Sequence, residues 1–215
     1  MNLHYPQGRI LVFAKAPVPG EVKTRLQPRL SMQQCAQLQQ RLIEHTLHTC
    51  VDSGLCAVEL WCAGDSAHPF FRDCLQRYPV DLQVQHGDDL GTRMLNALER
   101  TLQHAKFVLI VGTDCPALQA EHLRAAAETL GAKMRDHVLF IPAEDGGYVL
   151  LGASCAPPEL NSNIVWSSGD VMARTRRNLV AADIDFTELD PLWDVDRPED
   201  LARLKTFPHL IETTT

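Results

Sequence analysis

The chain has 215 residues, a formal net charge of −7, 45% hydrophobic and 22% charged residues, which fits one α/β-sized globular domain with a large core. No block of like charges marks a nucleic-acid surface, no stretch reaches membrane-spanning length, and MNLHYPQGR holds no apolar signal-peptide region. Seven cysteines without a CxxC pair suit reduced thiols rather than a disulfide framework or zinc ribbon, so the expected location is the cytoplasm.

In chain order, Ile10 to Ala14 reads as a buried strand. Residues 31 to 53 read as a helix, capped by Ser31 and stopped at Gly54, with Cys35, Leu38, Leu42, Leu47 and Cys50 at helical spacing. A strand is expected over Ala57 to Trp61, a short helix over Phe70 to Tyr78, and a strand over Val80 to Val84. Leu90 to Ala105 is expected to be helical, with Leu90, Met94, Leu98 and Leu102 on one stripe. Phe107 to Val111 is continuous and apolar, as central parallel strands are. A helix over 119 to 130 ends at Gly131. Strands over His137 to Ile141 and Tyr148 to Leu151 follow, then a helix over Val171 to Ala182, a strand over Ile184 to Glu188, and a last helix over Pro198 to Thr206. The tail from Glu212 to Thr215 is expected to fray.

Strands alternating with helices predict one doubly wound domain over 1–215, with core about 9–206, and a mostly parallel sheet. Ligands in such sheets bind beyond the carboxyl ends of the strands, so the chemistry should lie in the loops that follow each strand.

The first such loop carries Lys15, Gly20, Lys23, Thr24 and Arg25. Converging cations and backbone N–H groups are what a polyphosphate needs, although the spacing is not that of a Walker motif and a solvated basic loop stays open as the plain alternative. After the central strand comes Gly112-Thr113-Asp114-Cys115-Pro116, where Asp114 is either a metal-binding acid or a helix cap. Before the last helix, Asp194 and Asp196 alternate, and Asp196 is the preferred second metal ligand, with a capping role again the alternative. Glu199 and Asp200 suit the start of that helix.

Gly91 and Arg93 open a helix where glycines allow close approach to a base or sugar and Arg93 can neutralise phosphate, with Asp88 or Asp89 as the cap. Glu144 and Asp145 sit in a turn between two strands, where a carboxylate base could meet an acceptor hydroxyl beside Tyr148. Trp166 is read as core or pocket wall, and Ser167 as a helix cap.

Taken together, FAKAPVPGEVKTRL (13 to 26), GTDCPAL (112 to 118), PAEDGGYVLLG (142 to 152) and DVDRPEDL (194 to 201) resemble the bacterial transferase 1 family associated with radical-SAM and selenodomain proteins. That family lies in the GT-A-like nucleotide-diphospho-sugar transferase superfamily and is similar to 2-phospholactate guanylyltransferase. The resemblance runs from about residue 9 to 205. It implies a Rossmann-like α/β/α sandwich and transfer of a glycosyl or nucleotidyl group, with Mg2+ or Mn2+ as cofactor. Lys15, Gly20, Lys23 and Arg25 would then meet phosphates, and Asp114 and Asp196 the metal. Asp114 and Lys23 would carry the catalysis with Asp145, while Glu144, Asp145, Tyr148 and Trp166 would face the acceptor. The partners are a nucleotide or nucleotide-sugar donor and a small-molecule acceptor. No nucleic acid is expected, and oligomeric state stays open. The Asp-x-Asp usual in glycosyltransferases is absent at 112 to 114, which agrees better with nucleotidyltransferases. Three activities stay open: glycosyl transfer, nucleotidyl transfer with release of pyrophosphate, and nucleotide-sugar binding without turnover.

Overall fold

The structure, a computed structural model, describes residues 3–133, 136–166 and 168–211. The cap expected at Ser167 and the tail from Glu212 lie outside the described residues. Seven strands form one sheet: β1 (Gly8–Lys15), β2 (Ala57–Ala63), β3 (Asp81–Val84), β4 (Phe107–Gly112), β5 (Val138–Pro142), β6 (Tyr148–Ala153) and β7 (Phe186–Glu188). Their order is β3-β2-β1-β4-β6-β5-β7. All neighbouring pairs are parallel except those of β6, which runs antiparallel to β4 and β5.

The helices are α1 (Met32–Asp52), α2 (Pro69–Arg77), α3 (Leu90–Leu102), α4 (Ala120–Ala132), α5 (Val171–Ala181) and the short α6 (Pro208–Ile211). Ser31 and Gln34 form a capping box on α1, satisfying backbone N–H groups that have no partner inside the helix. Asp89 caps α3 through Thr92 N at 2.8 Å. Several elements depart from the sequence reading: α3 ends at Leu102 rather than Ala105, and β7 begins at Phe186 rather than Ile184. α4 runs through Gly131 to Ala132, because Leu130 is held in the core and Gly131 is tolerated in the last turn. Pro198–Thr206 is a 3-10 helix followed by α6, so it is neither an α-helix nor the last one.

Alternate residues of the strands feed opposite faces. Ile10, Val12, Leu60, Leu109 and Val111 join one core with α1, α2 and α4. Leu11, Phe13, Val108, Ile110 and Phe140 join another with α3 and α5. Fully burying a side chain such as Leu109 stabilises the fold by roughly 1.5–3 kcal/mol relative to leaving it in water. A third, smaller core gathers Leu26, Leu38, Leu42, Val195, Leu204 and Leu210, and so pins the loop after β1 and the segment around Val195 to α1.

The chain beyond β7 does not leave the sheet at once. Leu189 N donates to Phe140 O at 2.9 Å, Leu192 N to Pro142 O at 2.9 Å, and Glu144 N to Leu192 O at 3.0 Å. This path carries residues 194 to 196 to the end of β4, where Val195 N donates to Asp114 O at 2.8 Å.

Candidate active site

A cavity of about 470 Å³ opens at the carboxyl end of β1 and β4. Its walls come from places far apart in sequence: the loop after β1, Gln39 of α1, the ends of β2 and β3, the start of α3, the end of β4, the β5–β6 loop and the segment after β7. Lys15, Lys23, Thr24, Arg25, Asp114 and Asp145 all line it, as do Arg93, Tyr148, Asp194 and Asp196. The loops predicted from sequence to converge therefore do.

The cations are held rather than free. Lys15 Nζ donates to Glu21 O at 2.8 Å, folding the loop back on itself. Lys23 Nζ lies 2.8 Å from Asp114 Oδ1 and donates to Val195 O at 2.6 Å. Its side chain is 4% exposed, against 49% for Asp114. Lys23 also has φ 50° and ψ 34°, the left-handed region that non-glycine residues seldom occupy. Backbone strain of this kind persists only where surrounding contacts enforce it. Here those contacts are the ion pair, Val195 O, and Cys35 Sγ, which lies 3.4 Å from Lys23 O. Arg25 pairs with Asp196, and that hydrogen bond raises the guanidinium pKa further. Arg93 Nε donates to Gly87 O at 2.9 Å, and no carboxylate pairs with Arg93 among the described residues.

Asp114 is not a helix cap, because α4 starts only at Ala120 and its N-cap is Gln119. The position before Thr113 is open: a Cβ on Gly112 would meet nothing within 4 Å. Thr113 is buried and accepts from Gln39 Nε2 of α1 at 3.1 Å. Gln39 was not singled out from sequence, since a glutamine on an amphipathic helix gives no sign that it reaches a pocket; it lines this one.

The two C-terminal aspartates both line the cavity but have different neighbours. Asp196, preferred from sequence as the second metal acid, is turned to Arg25. Asp194 is the acid in the electrostatic neighbourhood of Asp114 and Asp145. Burial and the charges of Asp145 and Asp114 push its carboxyl up to about 6, against the opposing pull of Lys23. Cys115 is buried, which pushes its thiol up to about 12 and makes it a packed group rather than a nucleophile.

Several expected residues lie elsewhere. Glu144 is absent from the cavity wall: Arg203 holds both its carboxylate oxygens on the outer side, and the Arg203 guanidinium stacks 4.4 Å over the Trp193 ring. Gly20 adopts φ 85° in the loop but does not line the cavity. Trp166 also stays outside the wall; its Nε1 donates to Asn161 Oδ1 at 2.8 Å and its ring meets Tyr148 edge-on. Gly91 was expected to admit a base or sugar, yet a Cβ there would stand 1.9 Å from Asn161 Oδ1 and 2.4 Å from Trp166. The close approach it permits is to the protein itself. Tyr148 reaches the cavity from a half-buried ring, and burial raises its hydroxyl pKa.

The donor set suits a hard divalent cation. Asp114, Asp145 and Asp194 bring carboxylates into one cavity with only Lys23 near enough to offset Asp194. Among the described residues no three acidic, histidine or cysteine side chains already sit at ligating distance. Two carboxylates with phosphate oxygens completing the shell are what Mg2+ requires.

The fold and this cavity define an α/β protein of the nucleotide-diphospho-sugar transferase superfamily. A family model described as "Uncharacterized protein conserved in bacteria (DUF2064)" matches residues 46–168, and the chain belongs to that family. Among solved structures, a protein of Desulfovibrio desulfuricans G20 named as a nucleotide-diphospho-sugar transferase is 26% identical, with a TM-score of 0.79, covering 89% of this chain and 83% of that one. A 4-diphosphocytidyl-2C-methyl-D-erythritol synthase from Anaerococcus prevotii DSM 20548 is 12% identical, with a TM-score of 0.60, covering 94% and 98% of the two chains. CMP:2-keto-3-deoxy-manno-octonic acid synthetase, solved with CTP, is 12% identical, with a TM-score of 0.56 and the same coverage. These last two likenesses show the fold. A search of the curated proteins gave no match. No helix of the described residues is long and apolar enough to cross a membrane.

Proposed function

We propose that this enzyme is a nucleotidyltransferase: it takes a nucleoside triphosphate and a small acceptor and releases pyrophosphate. The protein is a transferase, and the finer choice rests on one observation. Two carboxylates from separate strand ends, Asp114 after β4 and Asp194 after β7, share a cavity with the cationic loop after β1, while Gly112 leaves open the place where an Asp-x-Asp would begin. A Mg2+ or Mn2+ held by Asp114 and Asp194 would offset phosphate charge at the bond being broken.

The rest is positioning and electrostatics, as phosphoryl chemistry mostly is. The loop from Lys15 to Arg25 receives the triphosphate, with Lys15 and Arg25 setting its shape through Glu21 and Asp196. Asp145 lines the same cavity from the β5–β6 loop, its Oδ1 accepting from Gly147 N at 2.9 Å. It is the group placed to take the acceptor's proton as that oxygen bonds to the α-phosphorus. The bridging bond to the β-phosphate then breaks, and pyrophosphate leaves with the electron pair.

Glycosyl transfer is the second reading, favoured by the name of the 26% identical neighbour. Incubation with each nucleoside triphosphate, Mg2+ and a panel of phosphate and hydroxyl acceptors tests the choice. Acceptor-dependent pyrophosphate release supports nucleotidyl transfer. Release of a nucleoside diphosphate from a nucleotide-sugar, with no pyrophosphate from any triphosphate, assigns the second reading instead.

A further inference from the structure

We propose that Lys23 is an exchangeable counter-cation: its ammonium occupies Asp114 until a polyphosphate draws it away, so that polyphosphate and divalent cation bind cooperatively. The inference deepens the nucleotidyltransferase reading and rests on it. The ammonium is within 2.8 Å of Asp114 Oδ1, the more exposed oxygen-bearing partner of the pair, and is itself nearly withdrawn from solvent. A divalent cation approaching Asp114 meets this like charge at close range, where repulsion is strong in a partly dry site.

The lysine is also built to move only in its side chain. Its backbone is fixed by the core residues Val22 and Leu26 on either side and by the contact of its carbonyl with Cys35 Sγ. Its ammonium has three donors, of which two are directed at Asp114 and at Val195 O. Val195 O is a neutral acceptor, and a phosphate oxygen is a stronger one for the same donors. Once the ammonium turns to phosphate, Asp114 is released to the cavity beside Asp194. The coupling is reciprocal: whatever binds Asp114 also frees Lys23 for the anion.

The experiment measures Mn2+ binding to the full chain by the loss of free-ion electron paramagnetic resonance signal, with and without inorganic pyrophosphate. In the unsubstituted protein pyrophosphate should tighten Mn2+ binding about tenfold, after correction for Mn2+–pyrophosphate association in solution. Lys23→Met should bind Mn2+ alone several-fold more tightly, and the effect of pyrophosphate should largely vanish. Asp114→Asn, in metal-free buffer with chelator, should bind pyrophosphate several-fold more tightly, because Lys23 is released. If Lys23→Met does not fold by circular dichroism, the Asp114→Asn arm decides alone. A Lys23→Met protein that binds Mn2+ more weakly, or an Asp114→Asn protein no better at binding pyrophosphate, makes Lys23 a fixed tie and overturns the exchange. Mn2+ binding indifferent to both Asp114→Asn and Asp194→Asn fails separately: it removes the metal site, and the function built on it, whatever Lys23 does.

Discussion

The side-chain amide of Gln39, in the second turn of α1, donates to Thr113 Oγ1 at 3.1 Å, one residue before Asp114. Both residues are buried, so this single bond ties the carboxylate of the cavity floor to the longest helix of the fold. Removing one partner of a buried pair leaves the other unsatisfied, at about 1–3 kcal/mol. Gln39→Leu should therefore lower the unfolding free energy from urea titration by that amount and also reduce Mg2+-dependent turnover. A variant with unchanged stability would show that Thr113 finds another partner.

Gly146 provides a second test. Its φ is 94°, and a Cβ there would stand 1.9 Å from Gly169 O. The turn also receives Met172 N on Gly146 O at 2.8 Å, so it seats the start of α5. Gly146→Ala must strain the backbone and push residues 168–170 away, so a loss of more than 1 kcal/mol is expected. Thermal melts check this; a melting temperature within error of the parent would refute it.

Glu144 should be dispensable for catalysis. Its carboxylate faces Arg203 outside the cavity, and that hydrogen bond holds it below the usual glutamate range. Glu144→Gln is expected to leave kcat and KM within about twofold, since exposed ion pairs contribute little. Asp145→Asn, one residue on, should cost 10²-fold or more in kcat, roughly the contribution of a general base. Steady-state kinetics on the two variants side by side would expose any error in their assignment.

A pH dependence follows from His45. Its Nε2 lies 3.1 Å from Pro116 O, and its Nδ1 3.2 Å from His209 Nε2 of α6. Burial, ahead of the Pro116 contact that opposes it, lowers the His45 pKa below its ordinary value. With the folded value depressed, the unfolded chain binds more protons in the window between the two, so stability rises with pH there. The contribution is complete above about 6.5, the ordinary histidine value, and is lost as pH falls through the folded value. Melting temperatures from pH 8 to pH 5 should fall more steeply for the parent than for His45→Gln. Parallel curves would assign the acid loss to other groups such as His137, whose pKa burial also lowers.

What could be read from the chain alone depended on whether the signal was local. The apolar run Phe107 to Val111 is buried on both faces, as a strand in the middle of a sheet is, and β4 stands fourth of the seven strands. The loops carrying Lys23, Asp114 and Asp145 were placed at one edge by the rule for strand ends, and they line one cavity. The choice between Asp194 and Asp196 was not local. It depends on Arg25, 171 residues away, claiming Asp196. Gly91 misled for a similar reason: a glycine announces a close approach but not by what, and here Trp166 and Asn161 fill the space. The contributions of Gln39 and Val195 became visible only when α1 and the segment after β7 were packed together.

Because β6 reverses against its neighbours, the chain turns at the cavity rim and comes straight back without crossing a face of the sheet. Residues 143–147 therefore join two strands already hydrogen-bonded to each other, and neighbours hold the turn from outside, with Glu144 N donating to Leu192 O and Met172 N to Gly146 O. A change in this one turn therefore reaches the cavity wall and the start of α5 together.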